Sequence, residues 1–207
     1  MLQVEDLLSV DQAGFRRGRS TCDQITALTT FIENWFEKTL KTSAVFLDLT
    51  DDTIWHTGFL YKLSECLPFW CLQTVELLLR NSRFRGRMED DVSSWRRQVN
   101  GLPQGSVPAP TLFSLYTNDI PVTRSRRFIY ADDICCALQA QTFSKIECTL
   151  TADLGHFAKY CQLWRMKPST SKTVTSVFCL HNKRSRHELN VHMNGPTSEA
   201  QPIPSMS

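Results

Sequence analysis

Two adjacent aspartates, Asp132 and Asp133, stand between the apolar runs FIYA and ICCAL, and a third, Asp48, closes the apolar run AVFL. Hairpins turn most readily on Asn-Gly or Asp-Gly, whereas Asp-Asp sets two like charges side by side near apolar walls. Such a pair calls for compensating positive charge. Arg124, Arg126 and Arg127 are near enough in sequence to supply it as a solvated turn with local ion pairs. The alternative is a divalent cation shared with Asp48. Three carboxylates without histidine suit a hard ion such as Mg2+, whose shell is completed by water and substrate phosphates. Two such ions about 3.5 to 4 Å apart activate an attacking hydroxyl and stabilise the leaving oxygen of an in-line phosphoryl displacement. The reaction class indicated is nucleotidyl transfer.

The elements that must position these residues follow from the hydrophobic pattern. Residues 44–47 form a continuous apolar run, a buried strand with Asp48 at its C-terminal end. Residues 126–138, RRFIYADDICCAL, read as two apolar strands with the aspartate pair at the bend. Before the first strand, Ser20 and Asp23 form a capping-box signature, and Ile25, Leu28, Ile32, Trp35 and Phe36 recur at helical spacing. This predicts a core-facing helix running to Leu40. Helical patterns cover residues 53–67 and 68–80, with Pro68 as break and first helical residue. Short strands are predicted in residues 83–99 around the Glu89-Asp90-Asp91 turn. In the loop GLPQGS, residues 101–106, Ser106 is the expected cap of a helix through Leu112, Leu115, Tyr116 and Ile120. Ile146, Leu150, Leu154, Phe157, Cys161 and Trp164 mark the strongest helix, over residues 144–166, and KPSTSK then turns into the strand-like TVTSVFCL.

Composition narrows the function. The chain has 207 residues, 42% of them apolar and 21% charged, which is the range of an ordinary globular protein. A net charge of +2 is too small to indicate nucleic acid by itself, so any basic surface is local. The segment GFRRGRST, with Arg16, Arg17 and Arg19, is one such basic turn. No run of 18 apolar residues predicts a membrane span, and the acidic start differs from a secretory signal, so the expected location is intracellular, nuclear or cytoplasmic. Eight cysteines without a Cys-x-x-Cys pair read as buried reduced thiols, and the His181, His187, His192 group near Cys179 lacks metal-ligand spacing.

Five segments, in order, are QAGFRRGRST, VFLDL, GLPQGS followed by AP-x-LF, FIYADD, and a helix ending in WRMKPSTSKT. Together they are similar to the reverse transcriptases of non-LTR (LINE-like) retrotransposons over residues 11–195. The resemblance implies an α+β fold, the right-hand polymerase palm of an antiparallel sheet packed on helices, with partial fingers. Residues 1–10 would be a lead segment and residues 196–207 a disordered tail. The implied activity is RNA-directed DNA polymerisation onto a primer 3′-hydroxyl, with Mg2+ or Mn2+ as cofactor and an RNA template, a DNA primer and deoxynucleoside triphosphates as partners. By the same resemblance Asp48 and Asp132 hold metal and Asp133 is the accessory carboxylate. Gln104 and Gly105 position template and incoming nucleotide, and Tyr130 lies near the primer end. Lys172 protonates departing pyrophosphate, and Arg16 belongs to the basic fingers surface. The chain departs from the family after Asp48, where Asp-Leu-Thr-Asp-Asp-Thr-Ile-Trp is two residues shorter than usual and lacks the aromatic that rejects a ribose 2′-hydroxyl. The alternative expectation is a silent remnant that binds nucleic acid non-specifically through Arg16, Arg17, Arg19, Arg96, Arg97, Arg126 and Arg127.

Overall fold

The structure is a computed structural model and describes residues 7–34, 40–50, 54–80, 82–103, 105–169, 171–178, 188–193 and 201–202. Helix α1 (Thr21–Glu33) starts as its sequence requires. The Ser20 hydroxyl accepts from the Asp23 amide, and the Asp23 carboxylate accepts from the Ser20 amide. Its expected depth is corrected, because no residue of α1 is fully buried and Ile25 is exposed. Leu28 and Phe31 pack on the sheet against Phe128, so the helix is a cover and not a core element. A 3.6-residue period identifies a face but not how deeply it is buried. Trp35 and Phe36, the predicted continuation, lie outside the described residues.

Strand β1 (Lys41–Thr50) is the centre of the main sheet. Helices α2 (His56–Cys66) and α3 (Phe69–Arg80) follow, divided at Pro68. Four two-residue strands come next: β2 (Arg83–Phe84), β3 (Arg87–Met88), β4 (Asp91–Val92) and β5 (Arg96–Arg97). β2 pairs with β5 and β3 with β4, forming an exposed nested hairpin that turns at Glu89 and Asp90. Helix α4 (Ala109–Tyr116) is capped by Pro108 with no side-chain hydrogen bond, which corrects the expected Ser106 cap. Proline needs no amide partner in this position, and among the described residues the buried Ser106 hydroxyl has no hydrogen-bond partner.

Strands β6 (Arg126–Tyr130) and β7 (Asp133–Ala140) form the predicted hairpin, and α5 (Phe143–Leu163) is the predicted long helix, capped by Thr142. Beyond it come β8 (Lys167–Pro168), β9 (Val174–Phe178) and the pair β10 (His192–Met193) and β11 (Gln201–Pro202). The main sheet runs β6-β7-β1-β8, with β9 also pairing β1, and every pairing is antiparallel. Alternation along β1 sends Val45, Leu47 and Leu49 into the main core, where Ile146, Leu150, Leu154 and Phe157 of α5 and Leu112 and Tyr116 of α4 join them. Ala44 and Phe46 meet α1 on the other face. β1 is therefore buried on both sides and is held by neighbours along both edges.

Lys62 ties α2 into the same core. Its Nζ donates to the Tyr116 carbonyl at 2.8 Å, the Tyr160 hydroxyl at 2.7 Å and Asp119, and lies 4.1 Å from the centre of the Trp164 ring. Among the described residues the cysteines are free, and the expectation that they are buried holds for Cys135, Cys136 and Cys161; Cys71 is half-buried, and Cys22, Cys66 and Cys148 are exposed. Cys179, His181 and His187 lie outside the described residues, as does all of segment 196–207 except 201 and 202. Among the described residues no helix is long and apolar enough to cross a membrane.

Candidate active site

Strand register brings the carboxylates together. β1 and β7 pair so that Asp48 is directly opposite Asp133, and the Leu49 amide donates to the Asp132 carbonyl at 3.0 Å. Directly opposed residues in an antiparallel pair share a face, with Cβ atoms about 4.5 to 5.5 Å apart. Two like charges there oppose each other unless a cation intervenes. Partial burial, then Asp132, then Asp48 raise the Asp133 pKa above its ordinary value, while Lys172 lowers it. The site therefore concentrates negative charge at a cost to the protein.

The Lys172 Nζ lies 2.9 Å from Asp48 Oδ2 and partly offsets that cost. Its position comes from the KPSTSK turn. The Ser169 amide donates to the Asp48 carbonyl at 2.9 Å, and the Thr173 amide and hydroxyl both donate to the Ser169 carbonyl. Hydrogen bonding and charge attraction to Asp48, helped by Asp132 and Asp133, raise the Lys172 pKa, so its ammonium persists at neutral pH.

Two depressions flank the aspartate turn. A cleft of about 400 Å3 is lined by Phe15, Gly105, Ser106, Pro110, Ala131 and Asp132. A groove of about 360 Å3 between α1 and the sheet is lined by Gln24, Leu28, Phe46, Tyr130 and Asp133. Tyr130 ends β6 opposite Asp133. Gly105 has φ +78°, a backbone conformation that favours glycine, and among the described residues nothing lies within 4 Å of where its Cβ would be. The loop is anchored through Gly101, whose amide donates to the Ile54 carbonyl and whose carbonyl lies 2.7 Å from His56 Nε2. Gln104 lies outside the described residues, and so do residues 51–53, where the sequence is two residues short. The Arg16 guanidinium donates to the Ser9 and Gln12 carbonyls. Arg127 is corrected as a phosphate contact, because its guanidinium is largely buried on the carbonyls of Ile120 and Pro121 and on Asp11.

Sequence reasoning missed Gln12. Its side chain is buried and accepts from the Gly14 and Ala131 amides, while its Nε2 donates to the Ala131 carbonyl. The contacts with Ala131 span 119 positions, a separation no periodic pattern reveals; the only local sign was a glutamine within QAGF.

The carboxylate chemistry suits a hard divalent ion, but the arrangement is not a complete cage. Among the described residues no group of three or more His, Cys, Asp and Glu side chains is arranged to hold a metal. That is compatible with Mg2+, which is commonly held by one or two carboxylates and substrate phosphates.

An antiparallel sheet backed by helices, with acidic residues at the end of its central strand and the adjacent turn, is a polymerase palm of the α+β class. Residues 1–197 match the family described as Reverse transcriptase (RNA-dependent DNA polymerase), and the chain belongs to that family. It is 30% identical over 185 residues to a probable RNA-directed DNA polymerase from transposon BS of Drosophila melanogaster, an alignment that covers 84% of this chain and 20% of that protein. It is 24% identical over 191 residues to the corresponding probable polymerase of the transposon X-element of the same species, covering 88% and 21%. The RNA-directed DNA polymerase of its mobile element jockey is 26% identical over 178 residues, covering 81% and 19%. The chain thus spans about a fifth of the length of these curated relatives. In fold it is similar to apo telomerase from Candida tropicalis truncated from its C-terminal domain, with a TM-score of 0.57 and 9% identity over 83% of this chain and 37% of that one.

Proposed function

We propose that the chain is the palm-centred part of an RNA-directed DNA polymerase, acting inside the cell, that adds deoxynucleotides to a primer 3′-hydroxyl on an RNA template. The observation that carries this reading is the meeting of Asp48 with the Asp132-Asp133 turn across the β1–β7 register. Asp48 and Asp132 would hold Mg2+ or Mn2+, with Asp133 beside them. Bound there, the ions would lower the cost of ionising the primer hydroxyl and of charge on the leaving pyrophosphate. The chain's own groups do the rest. Lys172, kept protonated beside Asp48, is the proton donor to departing pyrophosphate. Tyr130 borders the groove for the primer end, and Gly105 and Phe15 border the cleft for template and nucleotide; the family resemblance assigns Gln104 to the same role. Arg16 braces the QAGF segment beside that cleft.

Primer extension on an RNA template, with four deoxynucleotides and Mg2+ or Mn2+, tests the proposal. Synthesis by the wild type, reduced at least about 100-fold by Asp132→Asn, is the expected outcome. Salt-sensitive RNA binding without synthesis overturns it and assigns the chain to the silent, electrostatically binding form. That form has the exposed arginines of β2, β3 and β5 as its contacts.

A further inference from the structure

We propose that Gln12 is a positioning residue for the metal-binding turn. Its amide clamps the backbone of Ala131 and so fixes where the Asp132 carboxylate stands. The consequence for metal binding rests on the polymerase reading; the clamp itself does not.

Ala131 is the residue immediately before Asp132 and adopts φ +56°, the left-handed region, where the alanine Cβ crowds the backbone. A strained residue of this kind persists only when its surroundings over-determine it. Here they do. Gln12 Oε1 accepts from the Ala131 amide at 2.9 Å and Gln12 Nε2 donates to the Ala131 carbonyl at 3.2 Å, so one side-chain amide satisfies both polar groups of one backbone residue. The same Oε1 accepts from the Gly14 amide at 2.8 Å, which fixes the rotamer of the glutamine. Gln12 is only 3% exposed, so water does not compete for these bonds.

The segment that carries Gln12 is itself docked on the hairpin. The Ala13 amide donates to the Ile129 carbonyl at 2.9 Å and the Ile129 amide donates to the Asp11 carbonyl at 3.2 Å, a parallel bridge along the edge of β6. Gly14 allows the close approach, because a Cβ there would lie 2.2 Å from the Ala131 nitrogen. On the far side of the turn the Asp132 carbonyl is fixed by the Leu49 amide. Asp132 is thus bracketed by two backbone anchors, one from the sheet and one from Gln12. Nothing in this arrangement requires Gln12 to touch metal or substrate.

Groups that orient metal ligands from behind change metal affinity about 10- to 100-fold when removed. The test uses the full chain as wild type, Gln12→Met, and Gln12→Met combined with Ala131→Gly. Glycine enters the left-handed region freely and lessens the need for a clamp. Mn2+ affinity is read by electron paramagnetic resonance, global stability by urea unfolding, and the Ala131 amide by hydrogen exchange. The expected result for Gln12→Met is about 10-fold weaker Mn2+ binding and faster exchange at Ala131, under conditions where the chain stays folded. Addition of Ala131→Gly recovers part of the affinity. Unchanged affinity, or a loss that Ala131→Gly does not relieve, overturns the positioning role. If the wild type binds no Mn2+, the polymerase reading fails, and exchange at Ala131 decides the clamp separately: acceleration in Gln12→Met upholds it and unchanged exchange refutes it.

Discussion

Lys62 carries its ammonium into the layer between α2, α4 and α5, where burial lowers its pKa from 10.5 to about 8 despite the opposing effect of Asp119. Between those two values the folded chain has lost a proton that the unfolded chain still holds. The contribution of Lys62 to stability therefore rises with pH from about 8, by at most about 1.4 kcal/mol per pH unit, while the thiols of Cys66, Cys135, Cys136 and Cys161, which burial keeps protonated in the fold, contribute in the opposite sense above the ordinary cysteine pKa. Urea midpoints measured at pH 7, 8, 9 and 10 should therefore gain on those of Lys62→Met as the pH rises above about 8, whatever the common slope set by the thiols; parallel profiles would refute the assignment. Tyr116 limits the window from above, since burial first and Asp119 second push its hydroxyl up to about 12, and a tyrosine that folding keeps protonated loses stability above its ordinary pKa. Asp133 has the same sense at acid pH. Its raised pKa makes ionisation a cost to the folded state just above 3.8, a cost that Lys172 reduces.

The elements divide according to how much core they own. α5 places Ile146, Leu150 and Leu154 in the core, each at most 1% exposed, whereas Ile25 of α1 is 62% exposed. Leu150→Ala should therefore cost about 2 to 5 kcal/mol and Ile25→Ala under about 0.5 kcal/mol in urea unfolding. Equal costs would mean that Ile25 is buried as deeply as Leu150. This contrast also separates what was legible in the sequence from what was not. The run AVFLD, the bend in IYADDI and the stripe Ile146-Leu150-Leu154 announced their elements, because period and length are local properties. The cover role of α1 and the Pro108 cap depend on what lies across the fold. So does the grip of Gln12 on Ala131, and that information is carried by contacts between distant residues.

In the whole molecule, β1 joins all the parts of the site. Its register with β7 brings Asp48 to Asp133, its end meets the turn that bears Lys172, and its two faces separate the core from the α1 groove. Asp48 was legible as a strand-end carboxylate, and its convergence with Asp132, 84 positions away, was suggested by the chemistry of a shared divalent ion and implied by the family resemblance; strand pairing supplies the physical reason. The account turns on that convergence being a working metal site. Crystals soaked in Mn2+ and examined by anomalous scattering measure it most directly. The expected result is a peak coordinated by carboxylate oxygens of both Asp48 and Asp132, absent in Asp48→Asn. Ions bound only elsewhere, or Asp48 and Asp132 oxygens too far apart to share one, would contradict it.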